Sequence, residues 1–203
     1  MEELIGVAMK RVLLTGFEPF NNASLNPSQE VIKRIAHNSL VAKEVLPVTF
    51  SKSVTRLIEL IELHNPEVVI CLGQAEGRSQ ITPEQVAINL DDAKIPDNSG
   101  VEIRNQKIIN EGPDAYFTTL AIREIVERLQ ESGVPAAISL SAGTFVCNHI
   151  FYVLQHHCRQ RNILSGFIHL PLMKEQSGEF PDKPTMAIDE MVRGISLVLD
   201  EVS

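Results

Sequence analysis

The chain has 203 residues, 44% of them apolar and 22% charged, and carries a formal net charge of −8, which suits a globular protein with a sizeable core. No Lys/Arg-rich run offsets that negative field, and no stretch of about 18 apolar residues exists, so neither nucleic acid nor a membrane is an expected partner. The cysteines at 71, 147 and 158 cannot all pair within the chain and lack CxxC spacing; this argues against a disulfide scaffold or structural zinc. Acids stand where a signal peptide carries basic residues, so a cytoplasmic location is expected.

Residues 1–9 read as a tail and residues 10–203 as a single α/β domain. Arg11 to Gly16 is a buried strand ending at glycine, followed by the loop Phe17-Glu18-Pro19-Phe20-Asn21-Asn22. Asn26 as N-cap, Pro27 at the first helical position and Gln29 three residues after the cap open a helix predicted to reach Asn38. Val41 to Pro47 alternates like a strand. Val54, Leu57, Ile58 and Ile61 mark an amphipathic helix ending near His64, and Asn65-Pro66 punctuates it. Val68 to Gly73 is a continuous apolar run, as an interior parallel strand requires.

From Gln74 to Asn110 the βα rhythm lapses. Val86, Ile88 and Leu90 alternate as a strand, and Val101 to Ile109 suggests a hairpin around Asn105. An insertion of this length is more often functional than idle. Asp114 is then predicted to cap a helix carrying Leu120, Ile122, Ile125, Val126 and Leu129, closed by Gly133. Ala136 onward reads as a buried strand that breaks at Ala142-Gly143. Thr144 is the predicted cap of a helix running from Cys147 to Arg161, with Cys147, Ile150, Phe151, Leu154 and Cys158 on one face. Gly166 to Pro171 is a short apolar strand containing His169. A final helix, capped at Thr185, is striped by Ile188, Met191, Val192, Ile195, Leu199 and Val202.

Strands alternating with helices imply a three-layer α/β sandwich, its central sheet mostly parallel and covered on both faces. Ligands gather beyond the carboxyl ends of such strands. Four features belong to that rim: the loop after Phe17, the insertion after Gly73, Cys147 and His169. Cysteine is ordinarily a small packed hydrophobe. In the first turn of a helix, however, it faces unpaired N–H groups and the positive end of the macrodipole, which favour thiolate. His169, otherwise a core imidazole, is a natural general base for such a thiol. A base of this kind needs an orienting acceptor, and Glu76, Glu84, Asp91, Asp92 and Asp97 all offer one. Chemistry alone does not choose among them, although Glu84, after Pro83 and before an apolar strand, is the most rigidly placed. Cys71 reads as core. His149, His156, His157 and Cys158 occupy different faces of their helix, so a solvated surface is expected there rather than a metal site. Phe17 and Phe20 suit either the core or an apolar slot for a small flat ligand.

The segments VLLTGFEPF, GQAEGRSQITPEQVAINL, IPDNSG, SAGTFVCNHIFY and GFIHLP together resemble the pyroglutamyl peptidase type I family of cysteine peptidases over nearly the whole chain from Lys10. The resemblance implies Cys147 as nucleophile, His169 as base and Glu84 as the third member, which selects one of the five carboxylates. It implies that Phe17, Phe20, Phe145 and Val146 enclose a lactam ring whose N–H and C=O are read by backbone at Gln74. It further implies a homotetramer without a cofactor, acting on peptides that begin with pyroglutamate. This chain departs from the pattern in two places. Lys94 stands where the family commonly has arginine, which keeps the charge but loses the planar fork. Asn21-Asn22 replace glycines in a turn, where asparagine tolerates positive φ. The competing expectations are a non-catalytic α/β module that binds a small ligand, with Cys147 merely packed, and another thiol amidase on the same framework.

Overall fold

The structure, a computed structural model, describes residues 9–203; apart from Met9, the expected tail lies outside the described residues. The elements in chain order are β1 (Val12–Phe17), α1 (Pro27–Arg34), β2 (Val41–Leu46), α2 (Phe50–His64), β3 (Val68–Gln74), β4 (Thr82–Pro83), β5 (Val86–Ile88), β6 (Ala115–Phe117), α3 (Ile122–Glu131), α4 (Val146–Cys158), β7 (Leu164–Leu170), β8 (Leu172–Met173), β9 (Thr185–Met186) and α5 (Ile188–Val202). The main sheet has the order β2-β1-β3-β7-β4 and is parallel except for β4. The pairs β5–β6 and β8–β9 stand apart from it. Side chains of α1, α3 and α5 pack on one face of the sheet, and those of α2 and α4 on the other. This is the three-layer arrangement that the alternating pattern implied. Among the described residues, no helix is long and apolar enough to cross a membrane.

The β1–α1 unit follows its sequence signals at the start. Asn26 caps α1, its Oδ1 accepting the Ser28 N–H at 3.0 Å. Ser28 Oγ in turn accepts the Phe17 N–H at 2.9 Å, which fixes the backbone where β1 leaves the sheet. The close approach requires Gly16, where a Cβ would lie 2.6 Å from the Ser28 carbonyl oxygen. Asn21 and Asn22 have φ of 52° and 61°, and the Ala23 N–H bonds to Phe20 O at 3.0 Å. The two asparagines therefore sustain a left-handed turn in place of glycine.

Several predicted boundaries are corrected, each by a partner distant in sequence. α1 ends at Arg34 rather than Asn38, because Ile35 turns extended and its carbonyl accepts Lys43 Nζ at 2.6 Å. α2 starts at Phe50, earlier than its apolar stripe, because Asp97 Oδ2 accepts the Phe50 N–H at 3.0 Å. Asp114 caps nothing; its side chain is exposed, and the following residues form β6 against β5 before α3 begins. The run from Ala136 is not a sheet strand and makes only single bridges, Ile81 to Ala136 and Glu84 to Ser139. Residues 101–109 do not fold on themselves as a hairpin but pair back on 91–93, through the Asp91–Gln106 bridge and the Ala93 N–H to Ile103 O bond of 2.7 Å. Thr185 lies in β9, and Ala187 precedes α5.

Asp97 holds the insertion against the domain. Besides capping α2, its Oδ1 accepts the N–H groups of Ser99 and Val101 and the Ser99 hydroxyl. Burial works to raise its carboxyl, but these donors outweigh it and hold the group below the usual carboxylate range. Its stabilising contribution is complete above about pH 3.9, the unfolded value, and is lost as pH falls through the lower folded value. Asp97→Ala is expected to cost about 2–3 kcal/mol in urea unfolding at neutral pH, since charged acceptors are lost from several donors at once.

Candidate active site

Strand parity brings the chemistry to one face. In β3, Val68, Ile70 and Leu72 join the α1/α3/α5 core while Val69 and Cys71 join the α2/α4 core; Gly73 therefore faces α4. In β7, Ile168 and Leu170 face the first core and Phe167 the second, so His169 also faces α4. Gly73 and His169 are register partners across the β3–β7 pair. A Cβ at Gly73 would come within 3.0 Å of Cys147 Sγ and 2.8 Å of the Phe167 ring. The thiol thus lies over Gly73, in the row beside His169.

Glu84 reaches the same row because β4 pairs antiparallel with β7, Thr82 opposite His169, and the Glu84 N–H bonds to Phe167 O at 2.9 Å. His169 Nδ1 stands 2.6 Å from Glu84 Oε1. Both side chains are almost wholly buried. An ionised carboxylate only accepts, so Nδ1 carries the proton and Nε2 keeps its lone pair. Arg78 Nη1 donates to the same Oε1 at 2.6 Å. The other carboxylates are engaged elsewhere. Glu76 pairs with Lys183, Asp91 with His149, Asp92 accepts the Asn105 N–H, and Asp97 caps α2. Among the five acids considered, only Glu84 meets a histidine at the sheet rim.

The electrostatics of the resting site follow from burial. For Glu84, burial opposes ionisation, but the hydrogen bond and charge of His169, a hydrogen bond from Ser139 and the charge of Arg78 prevail and hold it below its ordinary value. His169 is pushed below its ordinary value, burial outweighing Glu84 with Arg78 assisting. Cys147 is pushed up to about 12 by burial, with the charge of Glu84 and neighbouring Cys71 adding and Arg78 opposing. Burial and the helix terminus thus pull the Cys147 thiol in opposite directions.

The start of α4 supplies donors. Thr144 does not cap it, because its Oγ1 donates to Asp92 O at 2.9 Å; Phe145 is the N-cap and offers no side-chain acceptor. The N–H groups of Val146, Cys147 and Asn148 therefore have no partner within the helix. The Asn148 side chain instead joins the backbone of Ile88 and Leu90, locking the insertion to α4. Beside the thiol is a small hollow lined by Phe17, Phe20, Asn26, Val48, Gln74, Phe145, Val146 and Cys147. Aromatic contacts build its wall: Phe20 with Phe145 at 6.1 Å and Phe50 edge-on to Phe145 at 5.5 Å between centroids. Phe17, Phe20, Gln74, Phe145 and Val146 are thus brought together as expected. Lys94 is exposed and lies outside this lining.

Asn26, Val48 and Arg78 are additions that the residues alone did not single out. Asn26 had a sufficient explanation as a cap, Val48 sits in the short link between β2 and α2, and Arg78 stood in a polar loop with no local signal. Of the histidines of α4, His156 is exposed as expected, whereas His149 and His157 are half-buried. His149 Nδ1 meets buried Asp91 at 2.7 Å, and His156 Nδ1 meets the Tyr116 hydroxyl at 2.8 Å.

The fold and site together define a three-layer α/β protein with a thiol, an imidazole and a carboxylate gathered at one rim of the sheet, next to a small apolar hollow. The family model for pyroglutamyl peptidase matches residues 10–203. The chain is 48% identical over 198 residues to the pyrrolidone-carboxylate peptidase of Vibrio parahaemolyticus, covering 96% of this chain and 93% of that one. It is 48% identical over 199 residues to that of Bacillus cereus, covering 95% and 92%. The crystal structure of pyroglutamyl peptidase I from Bacillus amyloliquefaciens superposes with a TM-score of 0.91 at 43% identity, over 95% of this chain and 94% of that one. A mutant pyrrolidone carboxyl peptidase from Pyrococcus furiosus gives 0.89 at 35% identity, over 94% and 97%. The chain belongs to the pyroglutamyl peptidase family.

Gly73→Ala tests the placement of the thiol. The added methyl meets Sγ and the Phe167 ring inside a packed layer, and such overpacking typically costs about 1–3 kcal/mol. Slower alkylation of Cys147 is expected in a protein that retains its far-ultraviolet circular dichroism, whereas an unchanged rate would contradict the placement.

Proposed function

We propose that this protein is a cysteine peptidase that removes pyroglutamate from the N-terminus of peptides through a thioester on Cys147. The observation that carries this reading is the row Cys147, Gly73, His169 and Glu84 at the mouth of the aromatic hollow. His169 Nε2 takes the thiol proton as Sγ attacks the carbonyl that joins 5-oxoproline to the next residue. Glu84 holds the imidazole in this tautomer and stabilises the imidazolium once it forms. The free N–H groups at the start of α4 receive the developing oxyanion. The imidazolium then protonates the departing amine, and water, activated by the same nitrogen, releases pyroglutamate.

The hollow supports this specificity. Phe17, Phe20, Phe145 and Val146 give it apolar walls, and the end of β3 at Gln74 offers backbone polar groups to the lactam. A lactam enters such a pocket uncharged, whereas a free N-terminal ammonium would bear a desolvation cost of several kcal/mol. Lys94, standing outside the lining, has no part in this reading.

We read residues 10–203 as one peptidase domain preceded by the short tail 1–9, and the protein as cytoplasmic, in keeping with free Cys71, Cys147 and Cys158. The assembly proposed is a homotetramer. Exposed Phe117 and Leu140 provide apolar surface for such contacts.

Release of a chromophore from a pyroglutamyl amide tests the function. Wild type is expected to cleave it and Cys147→Ser to lose at least about 100-fold; equal rates would sink the nucleophile. Hydrolysis of unblocked aminoacyl amides in its place would favour another thiol amidase. Because the base must be neutral and His169 lies below its ordinary value, kcat/KM should be steady at neutral pH and fall only below about pH 6.5.

A further inference from the structure

Arg78, in the loop between β3 and β4, makes contacts that a solvent-facing loop arginine does not need. Its Nη1 donates to Glu84 Oε1 and to Thr82 Oγ1, and its Nη2 donates to Ser141 O at 2.8 Å. The Arg78 side chain is only 26% exposed, against a wholly buried Glu84. Two features set it apart from an ordinary ion pair. It lands on the oxygen that already receives His169 Nδ1. Its second nitrogen holds the carbonyl of Ser141, two residues before Gly143, whose φ of +78° turns the chain towards α4 and Cys147. Thr82 completes the circuit, since its hydroxyl donates to His169 O at 3.3 Å.

We propose that Arg78 is a positioning residue for the reaction proposed above: it shares the Glu84 charge with His169, so that the imidazole is oriented without being trapped as imidazolium, and it ties that carboxylate to the loop delivering the nucleophile. The inference rests on the reading of Cys147, His169 and Glu84 as the working groups. Two lone hydrogen bonds to one carboxylate oxygen compete for its charge. A fully uncompensated, buried Glu84 would bind a cationic His169 strongly and remove the free base at neutral pH.

The titratable and charged groups facing this cluster are Glu84 just past β4, His169 on β7, Cys147 on α4, Cys71 on β3 and Arg78 itself. The cation opposes protonation of His169 and favours the Cys147 thiolate. Removing it therefore moves both groups in one direction, and the acid limb of kcat/KM shifts to higher pH.

The experiment compares wild type with Arg78→Gln, which keeps hydrogen-bond donors but no charge, and Arg78→Lys, which keeps charge but loses the fork. Pyroglutamyl amide hydrolysis and iodoacetamide alkylation of Cys147 are both followed against pH. Arg78→Gln is expected to lose roughly tenfold or more in kcat/KM at neutral pH, with the acid limb and the alkylation midpoint both displaced upward. Arg78→Lys should lose activity while keeping both close to wild type. Profiles for Arg78→Gln that overlay wild type, or equal losses in the two variants with unmoved limbs, would overturn the proposal and leave a purely mechanical brace. If Arg78→Gln does not fold, Thr82→Val serves: it keeps the charge, so its limb and that of Arg78→Lys must stay in place, and movement of either contradicts the inference. Failure of wild type to cleave pyroglutamyl amides would refute the substrate reading alone, because alkylation still reports the effect of Arg78 on the thiol.

Discussion

The site depends on one packing constraint: Gly73 and His169 stand side by side across two parallel strands, and the absence of a side chain at Gly73 leaves room for the thiol of Cys147. The histidine is thereby held in the strand row over which the sulfur lies, without any loop having to bring it there. β4 then adds Glu84 by pairing antiparallel with β7, which makes the acid partner a consequence of sheet register rather than of a flexible segment. Such placement on rigid elements is what keeps a catalytic geometry within a fraction of an ångström. The buried, paired state of the imidazole and the high resting value of the thiol both follow from the same dry layer between β7 and α4.

The long insertion serves the same layer from outside. Asp97 fastens it to the start of α2, Asn98 bonds to Glu18 and to the Pro19 carbonyl, and Asn148 and His149 of α4 hold its inner run. Phe50, at the head of α2, packs edge-on against both Phe145 and His149. The apolar hollow is thus enclosed by segments from β1, the link before α2, the end of β3 and the start of α4, which polar contacts of the insertion keep in register.

How much of this was legible in the residues depended on whether the cause was local. The apolar runs ending at Gly16 and Gly73, the Asn26-Pro27 cap and the i, i+3, i+4, i+7 face of α4 carry their own signals, and the strand-end rule assembled Cys147 and His169 from them. Asn21-Asn22 kept the turn because a short polar side chain tolerates left-handed backbone. Where a partner lay far away in sequence, local signals misled: Asp114 and Thr144 look like caps but are not, and α2 is capped by Asp97, 47 residues from Phe50. Choosing Glu84 among five acids required the β4–β7 register, or else the family resemblance. Arg78 had no periodicity to reveal it. The helix terminus that favours a thiolate at Cys147 acts locally, whereas the desolvation that opposes it depends on what is packed above the sheet.

The most direct test of the account is the mass of the protein quenched in acid during turnover of a pyroglutamyl ester, with the modified residue located by peptide mapping. A pyroglutamyl group on Cys147, absent from Cys71 and Cys158 and accumulating in Glu84→Gln when water attack is slowed, is the predicted result. Turnover with no acyl adduct on Cys147, or an adduct on another side chain, would contradict it.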